Sequence, residues 1–306
     1  MTAASVTEIT RGAPPARPGR RFRAAWLGVV PFFAFATMFL ILPVGVLLAG
    51  SFLDNVTHQP TLANYAELSQ PSIVTAFANG IEISLVTAVA GGFFGFLLAY
   101  AVILGGLPRF LRSALMTFSG VASNFAGIPL ALAFTFTIGF QGLVTVFLRD
   151  NVGFVIYPRD RDPVFTLYSK LGLELVYLYF QFPLMVLIMA PAIDGLRREW
   201  REASENLGAT SAEYWRHVAL PILMPTILGT VILLFGNAFG AQATAYQLTG
   251  GLIPLPTLLI GSQISGDVFH NTGLGYAMAV AMIVVMGIAI ALYTRLQRTS
   301  ERWLRS

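Results

Sequence analysis

The sequence has 306 residues, of which 56% are hydrophobic and 11% charged, against about 25% Asp, Glu, Lys and Arg in an ordinary soluble domain. At a mean hydropathy of +0.70, so few charges do not cover a water-soluble fold of this size, and the same numbers exclude a disordered chain. There is no cysteine, which removes disulfides and thiolate metal sites, and Lys170 is the one lysine among 19 basic residues.

A helix needs roughly 20 mostly apolar residues to cross a hydrocarbon core about 30 Å thick. Runs of that kind predict six membrane-crossing helices at 26–50, 78–104, 113–139, 173–193, 222–246 and 273–294, an all-α polytopic fold. Asp54 to Pro71, Leu107 to Arg112, Arg149 to Lys170, Asp194 to Pro221 and Thr249 to Asn271 read as loops or interfacial structure. The domain plan is a basic tail (1–25), a membrane domain (26–294) and a second basic tail (295–306). Arg17, Arg20, Arg21 and Arg23 precede the first run like the basic region of a signal peptide. The run is about twice the usual length and shows no small-residue cleavage site, so it reads as a retained anchor.

Basic residues near span ends stay on the cytoplasmic side. One face of the six-span layout collects 15 of the 19, among them Arg109, Arg112, Arg197, Arg198, Arg201, Arg216 and Arg295; the other has Arg149, Arg159, Arg161 and Lys170. Both termini and the 194–221 loop are therefore expected in the cytoplasm. The outer stretch Arg159, Asp160, Arg161 and Asp162 alternates in sign and reads as a solvated docking surface or a plain connector. Gly91 with Gly95, and Gly236 with Gly240, have the four-residue spacing that lets helix backbones approach closely in lipid.

The segment 194–225 has the pattern of two short amphipathic helices. Leu196, Trp200, Ala203 and Leu207 fall along one face of the first, with arginines and glutamates on the remainder. Gly208 supplies a left-handed stop. Thr210 and Glu213 have capping-box spacing for a second helix carrying Tyr214, Trp215 and Val218, which Pro221 is expected to close. A pair lying on the lipid surface is the alternative.

The stretch Glu202, Ala203, Ser204, three residues, Gly208, nine residues, Val218, Ala219, Leu220, Pro221 resembles the EAA loop of permease subunits in binding-protein-dependent ATP-binding-cassette (ABC) importers. Ser204 replaces the second alanine of that motif and Val218 its usual isoleucine. The resemblance is tight over about 20 residues and loose over the six-span layout. It implies a type I importer permease (MetI-like) bundle in the bacterial inner membrane. Its partners would be cytoplasmic ATPase subunits, a second permease subunit (a sister chain or itself) and an extracytoplasmic solute-binding protein. It also implies that the loop forms a coupling helix seated in a groove of the ATPase, with Glu202, Ala203 and Gly208 as contact positions and Leu207 helping to fill the groove.

A P-loop needs Gly-Lys followed by Ser or Thr. Lys170 lies between Ser169 and Leu171, so ATP is expected on a partner and no cofactor on this chain. His58, His217 and His270 are too scattered for a metal site, and no catalytic constellation is evident. Polar residues inside spans usually face a bundle interior or a wet cavity. Candidates for the solute path are Glu82 near the outer end of the second span, Asn124 beside Ser119 and Ser123, and Asn237, Gln242, Tyr246, Thr244 and Gln247 in the fifth. In a continuous fifth helix Asn237 and Thr244 would share one face and Gln242 and Tyr246 another. Interhelical hydrogen bonding is an equal alternative for each, and Glu82 also fits an interfacial carboxylate.

The phrases SNFAGIPLALAF and GNAFGAQATAY are similar to permeases of the polyamine, thiamine and iron branch. With Glu82 they make a polyamine-like cation the expected solute, with phosphonate, ferric ion, thiamine and sulfate as rivals. A secondary transporter is the rival from another class; it would need broken helices and ion-coupling acids at mid-membrane.

Overall fold

A computed structural model describes the backbone over residues 21–158, 165–265 and 271–303, with side chains over 28–158, 165–265 and 271–297. The expected docking surface at Arg159–Asp162, His270, and Arg11, Arg17, Arg20 and Arg305 of the tails lie outside the described residues. The chain divides into two compact units, residues 1–49 and 50–306.

In the first unit, α1 (Arg21–Ala36) continues through a π-turn, Thr37–Ile41, into α2 (Leu42–Gly50). The widened turn has a local cause. A proline ring inside a helix clashes with the carbonyl four residues back. Here the amide of Leu42 bonds Thr37 O, five residues back, immediately before Pro43.

In the second unit, residues 51–62 form a loop. The backbone amide of Thr57, its hydroxyl and the amide of Val56 all donate to the Asp54 carboxylate and hold its pKa below the ordinary value. The short α3 (Ala63–Glu67) buries Asn64, whose amide donates to Ser51 O at 3.0 Å and Leu53 O at 2.9 Å. The centre of the unit is α4 (Pro71–Leu104) against α8 (Lys170–Asp194), running the same way, with α11 (Leu220–Phe239) and α14 (Thr272–Trp303) packed outside them. One buried cluster, with Leu130, Leu173, Tyr177 and Leu248, fills one end, and another, with Met185, Met189, Leu223 and Leu234, continues the core.

Gly91 and Gly95 make the close approach their spacing predicts. A Cβ on Gly91 would lie 2.6 Å from Gln181 Cβ, and one on Gly95 2.6 Å from Met185 Cβ and 3.0 Å from Phe182 O. Gly95→Leu is therefore expected to force α4 and α8 apart at a cost of about 1–3 kcal/mol, read as a lower thermal midpoint of the purified protein. Gly236 likewise sits against Met286, but Gly240 meets no other helix and caps α11 instead.

Among the described residues six helical stretches are long and apolar enough to cross a membrane: Gly28–Gly50, Pro71–Leu104, Ile128–Val152, Lys170–Asp194, Ser211–Phe239 and Thr272–Gln297. Their number matches the expectation, and two of their positions do not. The expected span 113–139 is interrupted. It divides into α5 (Arg109–Ala122) and α6 (Ile128–Ile138), followed by α7 (Leu143–Phe147) and a π-turn to Val152. Pro129 has no N–H to continue a helix from Phe125, and Gly127 takes φ +73°, so a new helix starts there.

The expected span 222–246 is interrupted too. α11 ends at Phe239, and α12 (Gln242–Thr249) begins after Ala241 at φ −76°, ψ 82°. Asn237 and Thr244 are thus on different helices. A short α13 (Pro256–Ser265) returns the chain to the start of α14, where Gly275 abuts Gln263 and Ile264. α14 runs on to Trp303, so part of the expected C-terminal tail is helical.

Candidate functional site: the projecting loop and the broken helices

The first site is the loop after α8. α9 (Arg198–Asn206) starts one residue after Arg197 and ends at Leu207, and Gly208 turns the chain at φ +83°. Thr210 then caps α10 (Ser211–Tyr214) with a reciprocal box: Glu213 N–H donates to Thr210 Oγ1, and Thr210 N–H and Oγ1–H donate to Glu213 Oε2 at 2.7 and 2.8 Å. The helix, glycine turn and capped helix are as the spacing predicts.

Two details differ. Leu196 packs on the bundle below the loop, whereas Trp200, Ala203 and Leu207 face outward, so the apolar stripe is split between two surfaces. Leu207 is 89% exposed. Pro221 also does not end the second helix. The chain stays helical from Ser211 to Phe239 because a π-turn, Trp215–Ala219, widens the backbone just before the proline, with Leu220 N–H bonded to Trp215 O. Val218, Leu220 and Pro221 are half-buried there, and Trp215 stands edge-on to Tyr100 of α4 at 4.9 Å.

The charges on α9 are arranged along its exposed side. Arg198 pairs with Glu202 at 3.0 Å and Arg201 with Glu205 at 2.9 Å, each one turn apart, and the bond from Glu205 raises the Arg201 pKa further. Ser204 Oγ donates to Arg201 O. Exposed pairs of this kind add at most about 1 kcal/mol to stability. Their effect is to hold Glu202 and Glu205 in fixed places beside the bare Ala203.

The second site is formed where the two helix interruptions meet. Gly127 N–H donates to Thr244 Oγ1 at 2.9 Å, and the same hydroxyl donates to Gly127 O at 3.3 Å. Tyr177, buried in α8, donates its hydroxyl to Ala241 O at 2.6 Å. These bonds satisfy backbone groups that each break would leave orphaned, which is the condition for irregular backbone at membrane depth. Against the breaks lies a cavity of about 690 Å³, whose wall includes Phe180, Asn237, Gln242, Tyr246 and Gln247.

Of the residues predicted for a solute path, Asn237, Gln242 and Tyr246 come together here. Asn124 lies in the first break but turns its amide to Gly120 O and Ser123 Oγ. Glu82 is elsewhere: it pairs with Lys170 Nζ at 2.5 Å at the end of the bundle away from α9. Lys170 also donates to Asn79 Oδ1, and Asn79 donates to Pro254 O at 3.2 Å, so the only lysine ties α4, α8 and the approach to α13 together. Both side chains of the pair are partly exposed, so Lys170→Gln and Glu82→Gln are expected to be less than additive by about 1 kcal/mol or under in a double-mutant cycle of thermal stability.

Tyr177, Ala241 and Gly127 carry the second site and were not among the predicted residues. Gly127 with Pro129 inside an apolar run is the signal that points to them. Among the described residues the wall of this cavity has no Asp or Glu of the kind an ion-coupled secondary transporter would need, although the helices beside it are broken.

The sequence matches the family of binding-protein-dependent transport system inner membrane components over residues 9–305. The chain belongs to that family. The permease is 28% identical over 222 residues to a chain named "Probable sulfate transport system permease protein cysT" from Nephroselmis olivacea, covering 72% of this chain and 71% of that one. It is 24% identical to the spermidine/putrescine transport system permease protein PotB of Haemophilus influenzae, over 90% of this chain and 94% of that one. Its fold is that of a bacterial ABC transporter chain involved in the import of alginate, with a TM-score of 0.69 over 92% of this chain and 96% of that one at 17% identity. The permease is thus an inner-membrane component of an ABC importer, with the all-α, multi-pass fold that its composition implies.

Proposed function

We propose that this permease forms the solute path of an ABC importer and is driven through residues 198–208 by separate ATPase subunits, with ATP bound and hydrolysed there and no cofactor on this chain. The observation that carries the reading is the projecting loop: a rigid nine-residue helix, a left-handed glycine and a capped second helix that continues without a stop into α11. Force applied at Leu207 crosses the short Gly208–Thr210 turn to α10, and from there α10, the π-turn and α11 are one continuous helix whose end lines the cavity. Such rigid-body coupling requires no contact between the permease and nucleotide. The arginine-rich side, which carries this loop, is the cytoplasmic one, with both termini on it. A second permease subunit and an extracytoplasmic binding protein complete the assembly.

The solute in this reading is a small organic cation of the polyamine kind, supported by the relative PotB, which matches over nearly its whole length. A second reading, sulfate, is favoured by the higher identity to the cysT chain and by the Glu82–Lys170 pair, which leaves Glu82 already neutralised. The deciding experiment reconstitutes the permease with its ATPase and binding protein in vesicles and follows ATP-dependent uptake of labelled spermidine and labelled sulfate. Spermidine uptake supports the first reading and sulfate uptake the second. Failure to assemble with any ATPase subunit overturns the coupling proposal.

A further inference from the structure

An open cleft of about 540 Å³ lies beneath the projecting loop. Its floor is apolar, with Ile103 and Leu104 from the last turn of α4, Ile193 from the last turn of α8, and Leu196 just beyond it. Both helices are long enough to span a membrane and both end here, so the floor lies where hydrocarbon gives way to headgroups. Tyr214 and Trp215, also in the wall, have the amphipathic rings that settle at that depth.

The rim is charged, and its charges do not cancel. It carries Arg197, Arg198 and Arg201 together with Asp194, Glu202 and Glu205. Glu202 is taken by Arg198 at 3.0 Å, Glu205 by Arg201 at 2.9 Å, and Asp194 by Arg112 of α5 at 3.1 Å. Every carboxylate of the rim is thus neutralised, whereas Arg197 is exposed and has no ion pair among the described residues. Its guanidinium lies over the Trp200 ring instead, 5.7 Å from the centroid. A guanidinium held by its face keeps its in-plane N–H donors for a fork of oxygens, and phosphate is an anion that fits such a fork. An uncompensated cation above an apolar floor suits an amphiphile with an anionic head, and basic pockets between spans take lipid headgroups for this reason.

The side of α9 that lines the cleft carries Arg197, Arg201 and Glu205, each one turn from the next. Trp200, Ala203 and Leu207 stand on the other side, where the ATPase is proposed to seat. A molecule in the cleft leaves that side free.

We propose that the cleft holds one membrane phospholipid of net negative charge, with its phosphate on Arg197 and the upper part of its chains on Ile103, Leu104 and Ile193. Such a lipid fastens the loop to the membrane surface at a point separate from the ATPase contact. The site belongs to the permease alone, so it stands or falls independently of the coupling reading and of the solute assigned above.

The purified full-length permease, in detergent micelles, is titrated with phosphatidylglycerol or with phosphatidylcholine of the same chains, and bound lipid is counted by native mass spectrometry. One phosphatidylglycerol per chain should be held at concentrations about tenfold below those that phosphatidylcholine requires. Arg197→Gln should weaken the binding of that lipid by about tenfold, the effect of losing one charge-assisted contact. Arg197→Lys keeps the charge without the fork and should fall between the two. Leu104→Glu, at a floor position 45% exposed, sets a carboxylate beside the phosphate and should expel the lipid by a route that leaves Arg197 in place. Neither position is buried, so the thermal midpoint without added lipid should not move.

Inorganic phosphate and glycerophosphoglycerol separate a lipid from a free anion. Neither covers the apolar floor, so at millimolar concentration neither should displace the bound phosphatidylglycerol. Displacement by inorganic phosphate assigns the cleft to a free anion and overturns the proposal. Equal retention of the two phospholipids by the unsubstituted permease overturns it too, as does undiminished binding of phosphatidylglycerol by Arg197→Gln.

Discussion

Gly208→Trp should abolish ATP-dependent uptake and solute-stimulated ATP hydrolysis while leaving the permease folded and inserted. The structure separates the two effects. A Cβ at position 208 meets no atom within 4 Å, so a side chain there starts into open space. What any side chain incurs is the left-handed backbone at φ +83°, worth about 1–2 kcal/mol for a residue other than glycine. Gly208→Ala carries that strain without the bulk and Gly208→Asn carries less of it, so both should retain much of the uptake. The tryptophan projects from a loop whose neighbour Leu207 is 89% exposed, where the partner is proposed to seat. Disrupting a docking position of that type costs about 2 kcal/mol or more, a loss of roughly 30-fold. Leu207→Ala should act in the same direction with no change in thermal stability, since that side chain buries almost nothing within the permease. Uptake by Gly208→Trp at the level of the unsubstituted protein sinks the coupling assignment.

The loop was legible because its signals are local. A glycine at a helix end, Thr210 and Glu213 three apart, and charges at four-residue spacing each determine backbone or side-chain geometry within one or two turns. The six-helix count was legible from run length alone. The interruptions were not, because the residues at them, Ser123 and Asn124 at the first and Gln242 and Thr244 at the second, are polar but uncharged and leave each run apolar enough to read as one span, whether or not the helix is unbroken. Pro129 behind Gly127 marks the first break, but Pro221 and Pro43 sit in helices that absorb them with π-turns, so proline does not by itself locate a break. The partner that stabilises each break is remote in sequence. Thr244 lies 117 residues from Gly127 and Tyr177 lies 64 from Ala241. Glu82 illustrates the same limit, since its pairing with Lys170 spans 88 residues.

Thr244→Val should weaken transport most among conservative changes near the cavity, and Thr244→Ser should restore it. Valine has nearly the shape of threonine, so the volume at this buried position is kept and only the hydroxyl is lost. That hydroxyl both accepts from Gly127 N–H and donates to Gly127 O, and Thr244 is 1% exposed. Removing it leaves the Gly127 amide, at the wall of the cavity, facing a methyl group. The expected cost is about 1–2 kcal/mol, near the upper range of hydrogen bonds between membrane helices. The loss falls on the hydrogen-bonded tie between the two interruptions, so the start of α6 and the start of α12 are held together by packing alone. Uptake should therefore fall by more than the drop in thermal midpoint accounts for, while basal ATP hydrolysis persists, because the coupling loop is untouched. Tyr177→Phe removes the other tether on α12, the bond to Ala241 O, and the two changes should be non-additive, since both release the same element. If Thr244→Val and Thr244→Ser transport equally well, the tie at the helix breaks has no part in the movement of solute.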